Sequence, residues 1–223
     1  MEFEASNSNF TGNQARFLGG SVYLVRSGAV RLQGCRFIGN AAGRAAGAFA
    51  AVLSGTLRGN DSLWQGNSAG ASVGALACMH CAGLSLEKSS FVDNMAGTEA
   101  GAILIQSATG PSSMTDVTIM RNAVTGRQAL ALGQSPGAAT SAPAGPLRPC
   151  SSLTTLSNSD MGTAECMQCP PGAGGGLCVY NSSLVLLGGT LSGESLDMPV
   201  NAVQVLNSTP QFITPPQLSL LAF

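Results

Sequence analysis

Apolar residues alternate with other residues over short stretches of the chain, and glycine or asparagine ends most of these stretches. Val30 and Leu32 flank a polar residue, and Leu84 and Leu86 do the same, which is the period of two expected of β-strands. No stretch keeps the 3.6-residue apolar period of an amphipathic helix, and glycine interrupts each candidate. The pattern predicts an all-β protein built from short strands.

An aromatic-x-x-Asn tetrad returns at a nearly constant interval. The tetrads FTGN, FIGN, WQGN, FVDN and the variant IMRN begin at Phe10, Phe37, Trp64, Phe91 and Ile119. Successive starts differ by 27, 27, 27 and 28 residues. A constant interval is the signature of a solenoid, in which each coil stacks on the previous one and equivalent residues lie above one another.

Other columns of residues keep the same phase. The tetrad asparagines are Asn13, Asn40, Asn67, Asn94 and Asn122. Glycine follows seven residues later at Gly20, Gly47, Gly74 and Gly101. A degenerate further unit follows a gap, where Leu184 and Leu186 precede Leu191. Since 27 extended residues have a contour of roughly 90 Å, each unit suffices for three strands and three turns. We therefore predict a parallel β-helix solenoid of pectin-lyase-like architecture, with about six coils of about 27 residues.

Each column has a structural explanation. The aromatic residues are expected to form one stacked row inside the coils. The asparagines are expected at a corner, because asparagine tolerates the left-handed backbone conformation and stacked amides can hydrogen-bond along the axis. The glycines are expected at a second corner, where a side chain would not fit. All three columns are therefore interpreted as residues of the fold rather than of a ligand site.

Paired FxxN and GGA-[apolar] motifs underlie a family resemblance. The second motif is approximated by GGSV, AGAF, VGAL and AGAI, and more loosely by GGLC at Gly175 to Cys178. With these motifs the chain resembles the repeat region of the polymorphic outer membrane proteins described in chlamydiae, from about Phe10 to Leu132 and again near Gly174. That resemblance implies a right-handed β-helix that is exposed at the cell surface and acts in adhesion.

The predicted organisation has three parts. Residues 1–132 form β-helix coils, residues 133–174 form an insert rich in Ala, Ser, Pro, Thr and Gly, and residues 175–223 continue a degenerate coil and a C-terminal tail. The insert is expected to be a long loop leaving one corner of a coil. The incomplete repeat at the start of the chain suggests a fragment of a larger protein.

Four cysteines surround the end of the insert. Cys150, Cys166, Cys169 and Cys178 suggest disulfides, with free structural thiols and a metal site as the alternatives. Zinc needs four ligands, and the second Cys-x-x-Cys pair, Cys78 and Cys81, lies on a predicted coil of the solenoid. No metal or cofactor is therefore assigned.

Composition excludes several classes of function. Only 9% of residues are charged and the formal net charge is −1, so the chain lacks the basic field that a nucleic-acid partner requires. No apolar run reaches the ~18 residues of a transmembrane helix; the longest, Ala45 to Leu53, is too short. No signal peptide is visible at the start. The expected location, extracellular or at the cell surface, therefore depends on the family resemblance.

Catalytic groups are sparse. The acids considered as a pair are Asp93 and Asp116, on neighbouring units, and they occupy different columns. His80 is the only histidine and Lys88 the only lysine, so no acid and base pair is apparent. The chain is expected to be non-catalytic and to act in adhesion or as a scaffold, with a protein or glycan partner. The alternative is a degenerate carbohydrate-active β-helix that binds or cleaves polysaccharide.

Overall fold

The structure, a computed structural model, describes residues 1–125 and 175–192 and, further on, the strand segments Ser195–Leu196, Val203–Leu206, Pro210–Thr214 and Gln217–Ser219. Side chains are described for residues 1–125 and 175–190. The described residues contain strands and turns but no helix, and all strand pairs are parallel. The predicted all-β parallel solenoid is confirmed.

The strands stack into four parallel sheets, which we number in the order in which the chain visits them. Sheet 1 contains β1 (Phe3–Ser6), β5 (Val30–Gln33), β9 (Thr56–Asn60), β13 (Gly83–Glu87), β17 (Ser112–Thr115), β21 (Leu184–Leu187) and β25 (Pro210–Thr214). Sheet 2 contains β2 (Asn9–Thr11), β6 (Arg36–Ile38), β10 (Leu63–Gln65), β14 (Ser90–Val92), β18 (Thr118–Met120), β22 (Thr190–Ser192) and β26 (Gln217–Ser219). Sheet 3 contains β3 (Gln14–Ala15), β7 (Ala41–Ala42), β11 (Ser68–Ala69), β15 (Met95–Ala96), β19 (Ala123–Val124) and β23 (Ser195–Leu196). Sheet 4 contains β4 (Val22–Val25), β8 (Phe49–Val52), β12 (Leu76–Met79), β16 (Ile103–Gln106), β20 (Leu177–Tyr180) and β24 (Val203–Leu206).

Each coil therefore has four strands rather than the three expected. The additional strand belongs to sheet 3, where only two residues per coil, such as Ala41 and Ala42, form the ladder. Residues 1–125 make about five turns at this spacing, slightly fewer than the predicted six. The strands beyond Leu177 extend the same four sheets.

The register follows the repeat read from the sequence. Phe10 pairs with Phe37, and Phe37 with Trp64, at an offset of 27 residues. The single offset of 28 begins in the turn after β16, because Met79 still pairs with Gln106 whereas Ser85 pairs with Ser113. The extra residue is accommodated in a turn, where it disturbs no ladder.

The interior of the solenoid is filled by stacked apolar rows. The rings of Phe37 and Trp64 lie 4.0 Å apart between centroids and 7° from parallel, and Phe10 and Phe91 continue the stack on either side. Phe49 of sheet 4 meets this row edge-on, 6.0 Å from Phe37. Offset and edge-to-face contacts are the arrangements that aromatic quadrupoles favour, and here the parallel register enforces them.

Each corner of the first four coils contains one residue with a left-handed backbone. In the second coil these residues are Gly34, Gly39, Ala46 and Leu53, with φ of 60°, 63°, 55° and 51°. Equivalent residues take the same conformation in the neighbouring coils, so side chains other than glycine adopt it repeatedly. The recurring left-handed residue turns the chain from one sheet to the next.

The expected conformation of the asparagine column was wrong. The left-handed residue is the one before each asparagine, Gly39, Gly66, Asp93 and Arg121 in successive coils. The asparagine occupies its corner for its side-chain amide rather than for its backbone.

The predicted insert, residues 133–174, lies outside the described residues, as do residues 126–132 of the predicted coil region. The described strands stop at Val124 and resume at Leu177, where β20 takes its place in sheet 4 beside β16.

Candidate interaction surface

The asparagine column forms a continuous ladder of hydrogen bonds along the solenoid. The Oδ1 atom of Asn67 accepts hydrogen bonds from the backbone N–H of Asn40 at 3.0 Å and from its Nδ2 at 2.9 Å. The Nδ2 atom of Asn67 donates to Oδ1 of Asn94 at 2.9 Å and to the carbonyl of Phe37 at 2.9 Å. The same bonds recur between Asn13 and Asn40 and between Asn94 and Asn122. Because the buried amides of Asn40, Asn67 and Asn94 are committed to their neighbours, they offer no group to a ligand.

The glycine column lies where two coils approach most closely. A Cβ atom built on Gly47 would overlap the carbonyl oxygen of Gly74 and backbone atoms of Ser68, and Gly20, Gly74 and Gly101 are in the same situation. Their φ angles are not left-handed, so close approach of backbones is the reason for glycine here. This column is also part of the fold.

A ladder of serines was missed by the sequence analysis. The hydroxyl of Ser62 accepts a hydrogen bond from the backbone N–H of Cys35 at 3.2 Å, and the hydroxyl of Ser89 accepts from that of Ser62 at 3.3 Å. Ser54 and Ser182 act similarly at the corner between sheets 4 and 1. The sequence does contain serines 27 residues apart, which could have indicated this ladder. Because serine is common in this chain and the column also contains other residues, the repeat of serine did not stand out.

The four described cysteines have different surroundings. Cys35, Cys78 and Cys81 are free thiols buried in the interior core. A hydrogen bond with Cys81 and then burial raise the pKa of the Cys78 thiol well above its usual value. Cys178 is also fully buried but is not among these free thiols. Cys150, Cys166 and Cys169 lie outside the described residues, so the disulfides stay a prediction.

The register also corrects one motif. The motifs AGAI and GGLC end at Ile103 and Cys178, so the sequence motifs match these two residues. In the structure, however, Ile103 pairs with Leu177, and Cys178 pairs with Leu104. One residue of shift moves a side chain to the opposite face of a strand. Cys178 therefore lies on the outer face of sheet 4, whereas Leu177 faces the interior.

The two acids considered for catalysis do not converge. Asp93 follows β14, and both its carboxylate oxygens accept hydrogen bonds from Arg121, at 2.7 and 2.9 Å. Hydrogen bonding to Arg121 lowers the pKa of Asp93. Asp116 is exposed at the opposite end of the sheet 2 strands, about five residues away in register, or roughly 15 Å. Glycosidase carboxyl groups lie about 5 to 9.5 Å apart, so this pair does not have that geometry.

His80 also has a structural environment. It is the left-handed residue between sheets 4 and 1, with φ of 52°, and burial lowers the pKa of its imidazole. The described residues contain no group of three or more His, Cys, Asp or Glu side chains placed to hold a metal ion.

The outer faces of sheets 1 and 2 offer side chains that the fold does not use. Arg31 and Arg58 are register neighbours on sheet 1, and both side chains are exposed. Arg36 begins the adjoining strand of sheet 2 in the same coil as Arg31 and is also exposed. We call these three residues the arginine patch. One ion pair reaches it, from Glu2 to Arg31 at 3.0 Å, and both partners are about half exposed.

Charge is distributed unevenly along the solenoid axis. Residues 1–60 contain six arginines and two glutamates, a formal charge of +4. Residues 61–125 contain two cations and five acids, a formal charge of −3. Successive coils occupy successive positions along the axis, so the solenoid has a basic end followed by an acidic middle. The net charge of the whole chain is nevertheless close to zero.

Comparisons with known proteins add no relative. The chain matches no known protein family, no curated protein and no solved structure. The described residues contain no helix that could cross a membrane. The resemblance to the polymorphic outer membrane proteins therefore stays an expectation from the motifs.

Proposed function

We propose that the chain is a non-catalytic extracellular or cell-surface solenoid that acts in adhesion or as a scaffold, and that its partner contacts the outer faces of sheets 1 and 2. The observation that carries the proposal is the arginine patch. Its three guanidinium groups project from two adjoining faces of neighbouring coils at the basic end of the molecule.

The chemistry of the arginine patch favours an anionic partner. Guanidinium groups bind carboxylate and sulfate oxygens through paired hydrogen bonds, and the regular strand spacing of about 4.8 Å presents them as a flat array. Two acids neighbour Arg31, Glu2 through the ion pair and Glu4 as its register partner on β1. Because both are exposed, a polyanion can compete for Arg31 at little cost in desolvation. The partner class proposed is an acidic glycan or an acidic protein surface.

The experiment measures binding of polygalacturonate by the purified chain at low and moderate salt. We expect weak binding that falls as salt rises, and a loss of tenfold or more when Arg31, Arg36 and Arg58 are all replaced by Ala. Lys88→Ala in the acidic middle is the matched control and should leave binding unchanged. Equal effects of the triple and control variants would contradict the proposal.

The same samples test the carbohydrate-active alternative. The length of the polymer is followed over time with the wild-type chain and with Asp93→Asn and Asp116→Asn. Unchanged polymer length is the expected result. Cleavage that either substitution abolishes would replace the non-catalytic proposal with an enzymatic one.

A further inference from the structure

Asparagine side chains in the tripeptides Asn-x-Ser and Asn-x-Thr accept N-linked glycans in secreted eukaryotic proteins, provided that x is not proline. The described residues contain three such tripeptides, which begin at Asn9, Asn60 and Asn181. A transferase has to reach both the asparagine and the hydroxyl group two residues later. The exposure of these two side chains therefore distinguishes the three tripeptides.

The tripeptide at Asn9 presents both groups to solvent. Asn9 and Thr11 are the first and last residues of β2, and the ring of Phe10 between them stacks on that of Phe37 with centroids 4.6 Å apart. Successive side chains of a strand point to opposite faces, so the inward position of Phe10 directs Asn9 and Thr11 outward together. Both residues are exposed, which leaves the amide and the hydroxyl accessible on the folded solenoid.

The tripeptide at Asn60 is part of the fold instead. The hydroxyl of Ser62 is buried, donates a hydrogen bond to the carbonyl of Asn60 at 3.0 Å and accepts one from the backbone N–H of Cys35 at 3.2 Å. The Nδ2 atom of Asn60 donates to Oε1 of Gln33 at 3.2 Å, and the Oδ1 atom of Asn60 is buried. A transferase would have to break these contacts, so the folded coil withholds this tripeptide.

The tripeptide at Asn181 is accessible but distant from Asn9. Asn181 lies in the turn after β20, and Asn181 and Ser183 are exposed on either side of the buried Ser182. Strand β20 is the fifth strand of sheet 4 from the start of the chain, whereas Asn9 belongs to the first strand of sheet 2. Asn181 therefore serves as a remote reference for Asn9.

Asn9 adjoins the arginine patch. It is the register partner of Arg36, one coil away in sheet 2, and both residues are exposed. Neighbouring strands are about 4.8 Å apart, so a branched oligosaccharide on Asn9 is much wider than the distance between the two strands. We propose that Asn9 carries an N-linked glycan and that this glycan limits access to Arg36. The proposal rests on the extracellular location proposed above, because this modification is made on secreted chains.

The reaction is a glycosyl transfer from a lipid-linked oligosaccharide diphosphate. The Nδ2 atom of Asn9 forms a bond to the anomeric carbon of the first sugar, and the bond from that carbon to a diphosphate oxygen breaks. The lipid diphosphate leaves with the electron pair of the broken bond, and Nδ2 gives up one proton. The product is a neutral amide with one N–H, so the modification itself does not change the charge beside Arg36.

The first test maps glycans on the full chain, secreted from a eukaryotic cell line behind an added leader peptide. The cell line makes oligomannose glycans, and an endoglycosidase trims each of them to a single N-acetylglucosamine, which serves as a mass label. Trypsin separates residues 1–16, which contain Asn9, from residues 59–88, which contain Asn60. The first peptide should carry the label and the second should not. An unlabelled Asn9 would overturn the proposal, and equal labelling of Asn60 would contradict its structural basis.

Substitutions at Thr11 test whether the tripeptide is responsible for the label. Thr11→Ala removes the hydroxyl and should abolish the label on residues 1–16, whereas Thr11→Ser keeps the hydroxyl and should retain the label. Thr11 is exposed, so both variants should have the urea midpoint of the wild type. A label that survives Thr11→Ala would refute N-linked modification of Asn9.

The rate at which phenylglyoxal modifies Arg36 measures access to the arginine patch. The glycosylated wild type is compared with Asn9→Gln from the same cells, because removal of the glycan by an amidase would leave a carboxylate beside Arg36. Arg36 should react several-fold faster in Asn9→Gln, whereas Arg121, in the fifth coil, should react equally in both proteins. Asn181→Gln is the matched control and should react like the wild type. Equal rates at Arg36 in all three proteins would contradict the shielding.

The present proposal and the proposed function can fail separately. The chain made in bacteria without a glycosylation pathway carries no N-linked glycan, so polygalacturonate binding by that material tests the arginine patch alone. Absence of binding there would contradict the proposed function and leave the glycan map unchanged. Absence of a glycan on Asn9 would contradict the present proposal and leave the binding result unchanged.

Discussion

Asn40 and Asn67 are joined by two hydrogen bonds that end on a single oxygen. The Oδ1 atom of Asn67 accepts from the backbone N–H of Asn40 and from its side-chain Nδ2, and both residues are fully buried. Each asparagine thus satisfies a backbone donor at the corner of one coil and links two coils along the axis. Because the unit repeats, one substitution interrupts bonds to both neighbouring coils.

Asn67→Ala should lower the free energy of unfolding by about 3 kcal/mol or more, because it removes four hydrogen bonds and leaves buried donors and acceptors without partners. Asn13→Ala is the matched control. Asn13 lies at the exposed first coil and its side chain donates one bond, to Asn40, so a loss of about 1 kcal/mol is expected. Urea titration of both variants measures the difference, and equal losses would argue against the ladder.

Gly74→Ala should destabilise the solenoid by several kcal/mol. The added methyl group would meet the carbonyl oxygen of Gly101 and the backbone of Met95, and backbone atoms cannot rotate away. Gly66→Asp should cost about 1 kcal/mol or less, because its Cβ meets nothing within 4 Å and Asp93 holds the same position in the next coil. Thermal unfolding followed by circular dichroism compares them; a harmless Gly74→Ala would mean that the coils are not so closely stacked.

Trp64→Phe should change stability by no more than about 1 kcal/mol. The Nε1 donor of Trp64 is buried and has no acceptor among the described residues, so phenylalanine removes an unpaired donor worth about 1 to 3 kcal/mol. The opposing cost is a void of about 40 Å³, or about 1 kcal/mol. Trp64→Ala, by contrast, should cost about 3 to 5 kcal/mol. Urea unfolding followed by circular dichroism decides, and a Trp64→Phe loss as large as that of Trp64→Ala would indicate a bonded Nε1.

The pair between Asp93 and Arg121 should make a small, pH-dependent contribution to stability. Since Arg121 lowers the pKa of folded Asp93, the contribution is present above the unfolded pKa, near 3.9, and is lost as pH falls through the folded pKa. Both side chains are about half exposed, so screening by solvent should keep this contribution small. Asp93→Asn should therefore be slightly less stable than wild type at pH 7 and equally stable near pH 2. A deficit that persists at pH 2 would point to a structural role of the side chain.

The repeat alone determined much of this protein. Once Phe37, Trp64 and Phe91 fall 27 residues apart with Asn40, Asn67 and Asn94 in phase, parallel stacking follows, because only a solenoid places like residues over like. The inward aromatic row and the close approach at Gly47 and Gly74 follow from the same periodicity. These features depend on spacing along the chain, which the sequence contains in full.

Other features are not determined by the spacing of residues along the chain, and only the tertiary structure shows them. The sequence does not reveal that the left-handed residue precedes Asn67, or that two alanines form a separate strand in sheet 3, because backbone conformation at a corner depends on the coils above and below. It also does not reveal that Cys178 points outward, since that depends on a pairing register set across a gap of about fifty residues.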